Sequence, residues 1–468
     1  MTDKTAGSEK NRLETGEKVT KVTFPPKHPN CAHVLAALPP TRTLAGIEVF
    51  FASAELRQKT DFKSPLRGHK STFSTDCSRF RKEPAINLKR MDKIMTAILK
   101  FIKKEAVLCI SFAAALISMI FIPPNEEYLG YVDWSTLGLL FCLMAAVQGF
   151  GSIGAFTRLS GALTKRFHNT RTLGAALALM CFFLAMLVTN DVSLITLVPL
   201  TIALFREHPE VTIRTVILET AAANLGSMTT PMGNPQNLYI YSHYEMPLGD
   251  FFCTMLPPTV LSLIIIIVSA LLIPSHRLEP ENISRSPAMA KSGRLKIIMF
   301  SVAAAASLCT VVRVLDWRIS LAVTLVCVLI ADFRVLARVD YALLLTFICF
   351  FVFVGNISAI PAVRELISGV VSGRELLVGA ALSQIISNVP CAVMLSGFTD
   401  NAKQLMLGVD IGGLGTLIAS LASLISFKLY GASPAAKKGR YFLEFTVYNF
   451  AVLAVLLAAQ CGFNTVFG

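Results

Sequence analysis

Two neighbouring stretches decide the fold: LVTNDVSLITLVPLTIAL at 187–204 and ETAAANLGSMTTPMGNPQNLYIYS at 219–242. Both are apolar enough to sit at membrane depth. Yet they carry Thr189, Asn190, Asp191, Asn224, Ser227, Thr229, Thr230, Asn234 and Asn237, and Pro231, Gly233 and Pro235 interrupt the helix of the second stretch. Hydrocarbon offers no hydrogen bonds, so irregular backbone and polar side chains persist there only where protein or a water-lined cavity satisfies them. A polar cluster of this kind is a binding-site candidate.

The composition places the whole chain at the same depth. Its 468 residues are 54% hydrophobic and 16% charged, with mean hydropathy +0.61, well outside the range of a soluble domain. Apolar runs at 105–122, 135–156, 258–274, 297–311 and 442–459 approach the roughly 20 residues a helix needs to cross a bilayer. The net charge of +13 does not point to nucleic acid, because Lys and Arg gather in the N-terminal tail and in loops between spans, as cytoplasmic loops do. The cysteines lie mostly inside apolar segments without metal-ligand spacing, and the histidines form no cluster. They read as core residues rather than disulfides or zinc ligands.

Residues 1–90 are polar and basic, with no apolar period and no signal peptide. At Met91 the sequence turns to MDKIMTAILKFIKKEAVLCISFAAALISMIF, a basic amphipathic lead-in followed by a first span. Met91 or Met95 reads as a natural start; the rival is a disordered cytoplasmic extension, and an N-terminal mass measurement separates the two. Lys100, Lys103 and Lys104 precede the first span and the acidic PPNEEYLGYVDW (123–134) follows it, which puts the N-terminus in the cytoplasm. Span 135–156 then returns the chain to a basic loop with Arg158, Lys165, Arg166, His168 and Arg171.

From Leu173 to Phe205 about 33 residues run between two basic ends. Two full crossings need about 40 residues and a turn. A re-entrant hairpin fits instead, with Thr189-Asn190-Asp191 at its tip, where hydroxyl and amides cap the half-helix ends. Residues 213–242 cross outward as a broken helix and 252–274 return. A cytoplasmic loop, 275–296, with His276, Arg277, Arg285, Lys291, Arg294 and Lys296, divides a first repeat (91–274) from a second (297–468).

The second half repeats the pattern in the opposite sense. Spans 297–314 and 319–333 pair around Asp316-Trp317-Arg318, and Arg334 and Arg338 mark a return to the cytoplasm. Val339-Asp340-Tyr341 opens an outward span as Val132-Asp133-Trp134 opens an inward one. A second hairpin, 376–399, carries Ser387-Asn388 at its tip and enters from outside; 404–430 is a second broken helix and 442–462 a last span. The broken helices align without a gap, NLGSMTTPMGNPQN from Asn224 on DIGGLGTLIASLAS from Asp410. Gly226 then meets Gly412, Thr230 meets Thr416, Gly233 meets Ala419, Asn234 meets Ser420 and Asn237 meets Ser423. The expected fold is an all-α polytopic membrane protein of about nine spans, an inverted repeat with two opposed hairpins and two broken helices. Such a design points to a secondary transporter.

The candidate ligands are Thr189, Asn190, Asp191, Asn224, Gly226, Thr230, Gly233, Asn234 and Asn237 in the first repeat. Their counterparts in the second are Ser387, Asn388, Asp410, Gly412, Thr416 and Ser420. Amides offer donors and acceptors, and broken helices expose backbone groups at their interrupted ends. Oxygens near Asn190, Asn224, Asn388 and Asp410 suit Na⁺, while half-helix N-termini suit an anion, so one structure holds both partners of a symport. The plainer alternative is helix–helix contact through small and polar residues; two tips coinciding with two breaks weigh against it. An isolated carboxylate at the midplane costs at least roughly 2.5 kcal/mol, so Asp191 and Asp410 are each paired, hydrated, protonated, cation-bound or capping a helix end. Glu219 reads as either another buried acid or a residue facing the headgroups. No Lys or Arg lies within 215–242 or 375–402, so an anion there is held by dipoles, amides, hydroxyls and bound cations. An intramembrane aspartyl protease is the rival from another class, but its Gly-x-Gly-Asp element is missing around both aspartates.

TNDVSLITLVPLTI, NLGSMTTPMGNPQN, SQIISNVP and DIGGLGTLIASLASLIS resemble the ion transporter superfamily over residues 104–462. Its branches include citrate transporters, divalent-anion sodium symporters, arsenite exporters and sodium-proton antiporters. The chain looks most like the citrate-transporter-like anion permeases. The resemblance implies a homodimer with a scaffold and a moving transport domain and an elevator-type cycle. The expected coupling ion is Na⁺ or H⁺, with no enzymatic activity and no other cofactor. Sodium-dicarboxylate members read Ser-Asn-Thr at both tips, whereas here they read Thr189-Asn190-Asp191 and Ser387-Asn388-Val389. The expectation is an ion-coupled carrier of a small, citrate- or dicarboxylate-like anion in the inner or plasma membrane. The alternative on the same fold is an arsenite or sodium-proton antiporter, favoured by Asp191 and Asp410.

Overall fold

A computed structural model of the chain describes residues 93–99, 101–102, 105–155, 167, 169–278 and 293–467. Helices α1 (Ala106–Phe121), α2 (Tyr128–Tyr131) and α3 (Trp134–Ser152) lead to a first hairpin, α4 (Thr170–Leu187) and α5 (Asn190–Leu204). The first broken helix is α6 (Pro209–Ser227) with α7 (Pro235–His243), and α8 (Leu248–Leu271) follows. The second half begins with α9 (Arg294–Val311), α10 (Trp317–Asp332), a 3-10 segment Phe333–Arg338, α11 (Tyr341–Ser358) and α12 (Pro361–Val371). The second hairpin is α13 (Glu375–Ile386) and α14 (Asn388–Ser396), the second broken helix α15 (Ala402–Ile411) and α16 (Leu421–Gly431), and α17 (Lys438–Phe467) comes last.

Capping chemistry sets the starts. Asp133 accepts the N–H groups of Ser135 and Thr136 at 3.1 and 3.0 Å, and Asp340 accepts that of Leu343 at 3.0 Å. The two Val-Asp-aromatic triplets are therefore N-caps opening equivalent helices, α3 and α11. Asp316 caps α10 through the N–H of Arg318 at 2.8 Å. Seven described helices are long and apolar enough to cross a bilayer: α3, α4, α8, α9, α10 with its 3-10 extension, α11 and α17. Of these α4 is a hairpin arm, which leaves six; the nine crossings expected from the sequence also count the 16-residue α1 and the two broken helices, none of which has that length in one piece. One element was not foreseen: α12, with Pro361 in its first turn, meets α13 at 107° and delivers the chain to the second hairpin.

Packing exchanges the two halves. The first hairpin lies on α6 and the second on α15, while α16 packs on the return arm α5 and α7 packs on the return arm α14. Each break is thus enclosed by both repeats. A core running through the hairpins, broken helices and α8 accounts for most of the buried apolar side chains. A separate cluster of Ala145, Ile153, Phe300, Val328 and Val335 holds α3, α9 and the α10 segment together. The bases of the hairpins are tied: Thr170 donates its hydroxyl to Pro274 O at 2.7 Å, and Thr399 donates to Glu375 at 2.9 Å. The described cysteines are all free, and Cys142, Cys181, Cys327 and Cys391 are buried, as core residues are. The tail 1–90 with the start at Met91, the basic positions Lys100, Lys103, Lys104, Arg158, Lys165, Arg166 and His168, and loop residues 279–292 with Arg285 and Lys291 lie outside the described residues.

Candidate functional site

Both hairpins turn at a residue with positive φ, Thr189 (131°) and Ser387 (77°). Neither is glycine, and such backbone costs on the order of 1–3 kcal/mol, a strain that persists only where the surroundings impose it. The imposing contacts are the same in both repeats. Asn190 donates its N–H to Gly233 O at 3.2 Å and Asn388 donates to Ala419 O at 2.9 Å, each reaching the break of its own repeat's broken helix. Thr230 donates its hydroxyl to Met186 O at 2.6 Å, and Thr416 to Gln384 O at 2.9 Å, each acceptor three residues before its tip. The alignment of Gly233 with Ala419 and of Thr230 with Thr416 is thus a structural equivalence.

The glycines serve this close approach. A Cβ on Gly226 would run into the Phe182 carbonyl of α4, and one on Gly412 would stand 2.7 Å from Ala380 Cα of α13. Gly233 is confined by the Ser227 carbonyl. Asn237 donates its side-chain amide to Met228 O at 3.1 Å and its N–H to Asn234 Oδ1 at 2.8 Å, bracing the first break from within. Gly226, Gly233, Gly412, Thr230, Thr416 and Asn237 therefore build the breaks.

Capping at the tips runs through the asparagines. Asn190 Oδ1 accepts the N–H of Asp191 at 2.9 Å and Asn388 Oδ1 that of Val389 at 3.0 Å. The Thr189 hydroxyl, expected to cap, makes no cap bond, and neither does that of Ser387. Helix-end capping is likewise not the role of Asp191, which sits in the first turn of α5, nor of Asp410, near the end of α15.

The remaining candidates join the repeats. Asn224 Oδ1 accepts from Asn190 Nδ2 at 3.2 Å and from Ser420 Oγ at 3.0 Å, while its Nδ2 donates to Ser423 at 3.3 Å. In the equivalent place Asp410 Oδ1 accepts from Asn234 Nδ2 and Gln236 Nε2, both at 3.0 Å. The other oxygen, Asp410 Oδ2, is buried without a partner among the described residues, as is Asp191 Oδ1. Sequence reasoning missed Gln236, which reaches Asp410, and Gln384, which bonds Gly412 O, Leu414 O and the N–H of Thr416. Gln384 is a lone glutamine in an apolar run three residues before a tip, and Gln236 stands between the break residues Asn234 and Asn237; those positions are the signals available for them.

Two cavities open at the tips. One of about 120 Å³ is lined by Gln148, Thr189, Asp191, Asn234, Pro235 and Asp340 with apolar neighbours. The other, about 340 Å³, brings Asp191 and Asp340 together with Glu105, Val389, Pro390, Leu421 and Lys428. Helices α5, α7, α14 and α16 all start on these walls, each with roughly half a positive charge at its N-terminus. Carboxylates and helix N-termini together make a surface able to hold a cation and an oxyanion side by side. No cluster of three His, Cys, Asp or Glu with metal-site geometry occurs among the described residues.

The citrate transporter family model matches residues 94–423. The chain is 31% identical over 354 residues to the Uncharacterized transporter MJ0456 of Methanocaldococcus jannaschii, covering 75% of this chain and 95% of that one. It is 28% identical over 336 residues to the inner membrane protein YbiR of Escherichia coli, 71% of this chain and 87% of the relative. A shorter match, 27% over 144 residues, is to the silicon efflux transporter LSI3 of Oryza sativa, 31% of this chain and 30% of that one. With seven described helices long and apolar enough to cross a bilayer and the hairpins and broken helices arranged as described, the chain belongs to the citrate transporter family and is a multi-pass membrane transporter.

Proposed function

We propose that the chain is an ion-coupled secondary transporter that carries a small oxyanion together with a cation. The observation that carries this reading is the pair of equivalent tips, each seated on the break of its own broken helix and joined to the other repeat through Asn224 and Asp410. The unpartnered oxygens Asp191 Oδ1 and Asp410 Oδ2 are the groups assigned to the coupling cation, Na⁺ or H⁺. The starts of α5, α7, α14 and α16 face the anion, a citrate- or dicarboxylate-like solute. The separate core of α3, α9 and α10 suits a scaffold against which hairpins and broken helices move as an elevator. The proposed unit is a homodimer in the inner or plasma membrane with a cytoplasmic N-terminus.

A second reading is favoured by the cavity lining. Asp191 and Asp340 face both cavities and Lys428 is the one described Lys or Arg on either wall, which disfavours an unaccompanied multivalent anion. A neutral oxyacid exchanged for a proton or sodium fits those walls, and the name of the Oryza relative refers to silicon efflux. The test is flux by purified protein in liposomes for labelled di- and tricarboxylates, arsenite and silicic acid, with Na⁺ and pH gradients imposed separately. Carboxylate uptake driven by one gradient supports the first reading. Arsenite or silicic acid exchange without carboxylate flux replaces it by the second.

A further inference from the structure

Glu219 lies on α6, five residues before Asn224, and lines neither tip cavity. The structure decides between the two readings of its sequence position: the side chain is completely buried. Its one hydrogen-bond partner is on the first hairpin, where Thr201 of α5 donates its hydroxyl to Oε1 at 2.5 Å. Oε2 is buried with no partner among the described residues, and no described Lys, Arg or His forms an ion pair with the carboxyl. The titratable groups facing it are Cys181 of α4 and Tyr441 of α17, both ordinarily neutral. Helices α5, α8, α15 and α16, which also pack on α6, bring no charged group against it.

A fully buried carboxylate with one neutral hydrogen-bond partner is among the costliest groups to bury, whereas the neutral acid is not. Replacing the hydration shell of a metal cation takes several oxygens, and among the described residues the one side-chain oxygen hydrogen-bonded to the carboxyl is the Thr201 hydroxyl. A proton needs a single oxygen. Position adds a consequence. The Thr201–Glu219 bond joins the hairpin's return arm to the helix whose Asn224 takes the Asn190 tip.

We propose that Glu219 is a proton-binding site of this transporter, distinct from the hairpin tips, protonated in the present conformation and seating the first hairpin on α6. With the proton on Oε2, Oε1 remains the acceptor for Thr201. Loss of the proton leaves a bare carboxylate between α5 and α6 and drives the two apart, which transmits occupancy at Glu219 to the tip. This rests on the transporter reading above, so its test has one arm that requires no transport.

That arm is the infrared spectrum of the purified full chain at neutral pH. The expected result is a carbonyl-stretching band of a protonated carboxylic acid that disappears in Glu219→Gln, moves to higher frequency in Thr201→Val and stays in place in Thr201→Ser. The Thr201 variants keep the test decisive if the Glu219 variant does not fold. Loss of an ionised-carboxylate band in Glu219→Gln, with the acid band intact, overturns the proposal. In liposomes, the response of solute flux to an imposed pH gradient is expected to vanish in Glu219→Gln. Retention of the wild-type response overturns the coupling role, while absence of flux by the wild-type protein for every di- or tricarboxylate, arsenite and silicic acid tested overturns the ion-coupled function proposed above and leaves the infrared result to decide the proton site.

Discussion

Asn388 donates its backbone N–H to the carbonyl of Ala419 at 2.9 Å, and this bond holds the second hairpin tip on the break of the second broken helix. Its counterpart in the first repeat joins Asn190 to Gly233. Each asparagine also accepts the next N–H through its own side chain, a partly buried bond at Asn190 and a buried one at Asn388, so truncation strands a donor at a cost of up to about 1–3 kcal/mol at Asn388 and less at Asn190. Asn190→Ala and Asn388→Ala are each expected to lower the thermal midpoint and bring solute flux to the liposome background. Flux at wild-type rates in either variant contradicts the assignment.

The threonine bonds to the segments before the tips offer a matched pair. Thr230→Val and Thr416→Val remove the donors to Met186 O and Gln384 O, each worth about 1 kcal/mol. Both are expected to reduce transport, and Thr230→Ser and Thr416→Ser to retain it. A serine variant as impaired as its valine partner places the effect in packing instead.

Gly226 tests the close approach of hairpin and broken helix. Alanine there meets the backbone of Phe182, which has little freedom to shift, whereas a Cβ on Gly369 meets nothing within 4 Å. Gly226→Ala is expected to destabilise the protein by about 1–3 kcal/mol and to impair transport, with Gly369→Ala near neutral in both. Thermal unfolding and flux measured on the two variants side by side check this.

Asp410 separates structure from coupling. Asn234 and Gln236 both donate to its Oδ1, and an asparagine carbonyl preserves that acceptor while removing the charge. Asp410→Asn is expected to fold like the wild type and lose dependence on the coupling gradient. Asp410→Ala is expected to unfold at lower temperature because two buried amides lose their acceptor. Full gradient dependence in Asp410→Asn rules out a cation at this carboxylate.

Much of this was legible in the chain. Polar residues in an apolar run mark both tips, because membrane depth makes them costly, and the ungapped match of the two breaks corresponds to shared hydrogen bonds. Val-Asp-aromatic triplets marked two helix starts. What the chain did not disclose is tertiary. The positive φ of Thr189 and Ser387 is imposed by contacts with distant residues, since neither residue type favours it. Gln236 joins the site only when the two repeats interlock, and Gln384 only when the second hairpin folds back onto the break of its own broken helix. Helix α12 is short and lies between stronger signals, and Glu219, with no neighbour in sequence to reveal its depth, needed the packing of α4, α5 and α17 around it.

The most direct test of the central claim, one alternating-access site made by two opposed tips, is accessibility from each side of the membrane. Thr189→Cys and Ser387→Cys, each in a background without other cysteines, are labelled in oriented vesicles with a membrane-impermeant thiol reagent applied to one side at a time. The account predicts that both positions react from one side in the absence of solute and that solute with the coupling gradient moves the reactivity of both to the other side together. Simultaneous reaction from both sides, or reactivity that ignores solute and gradient, would contradict it.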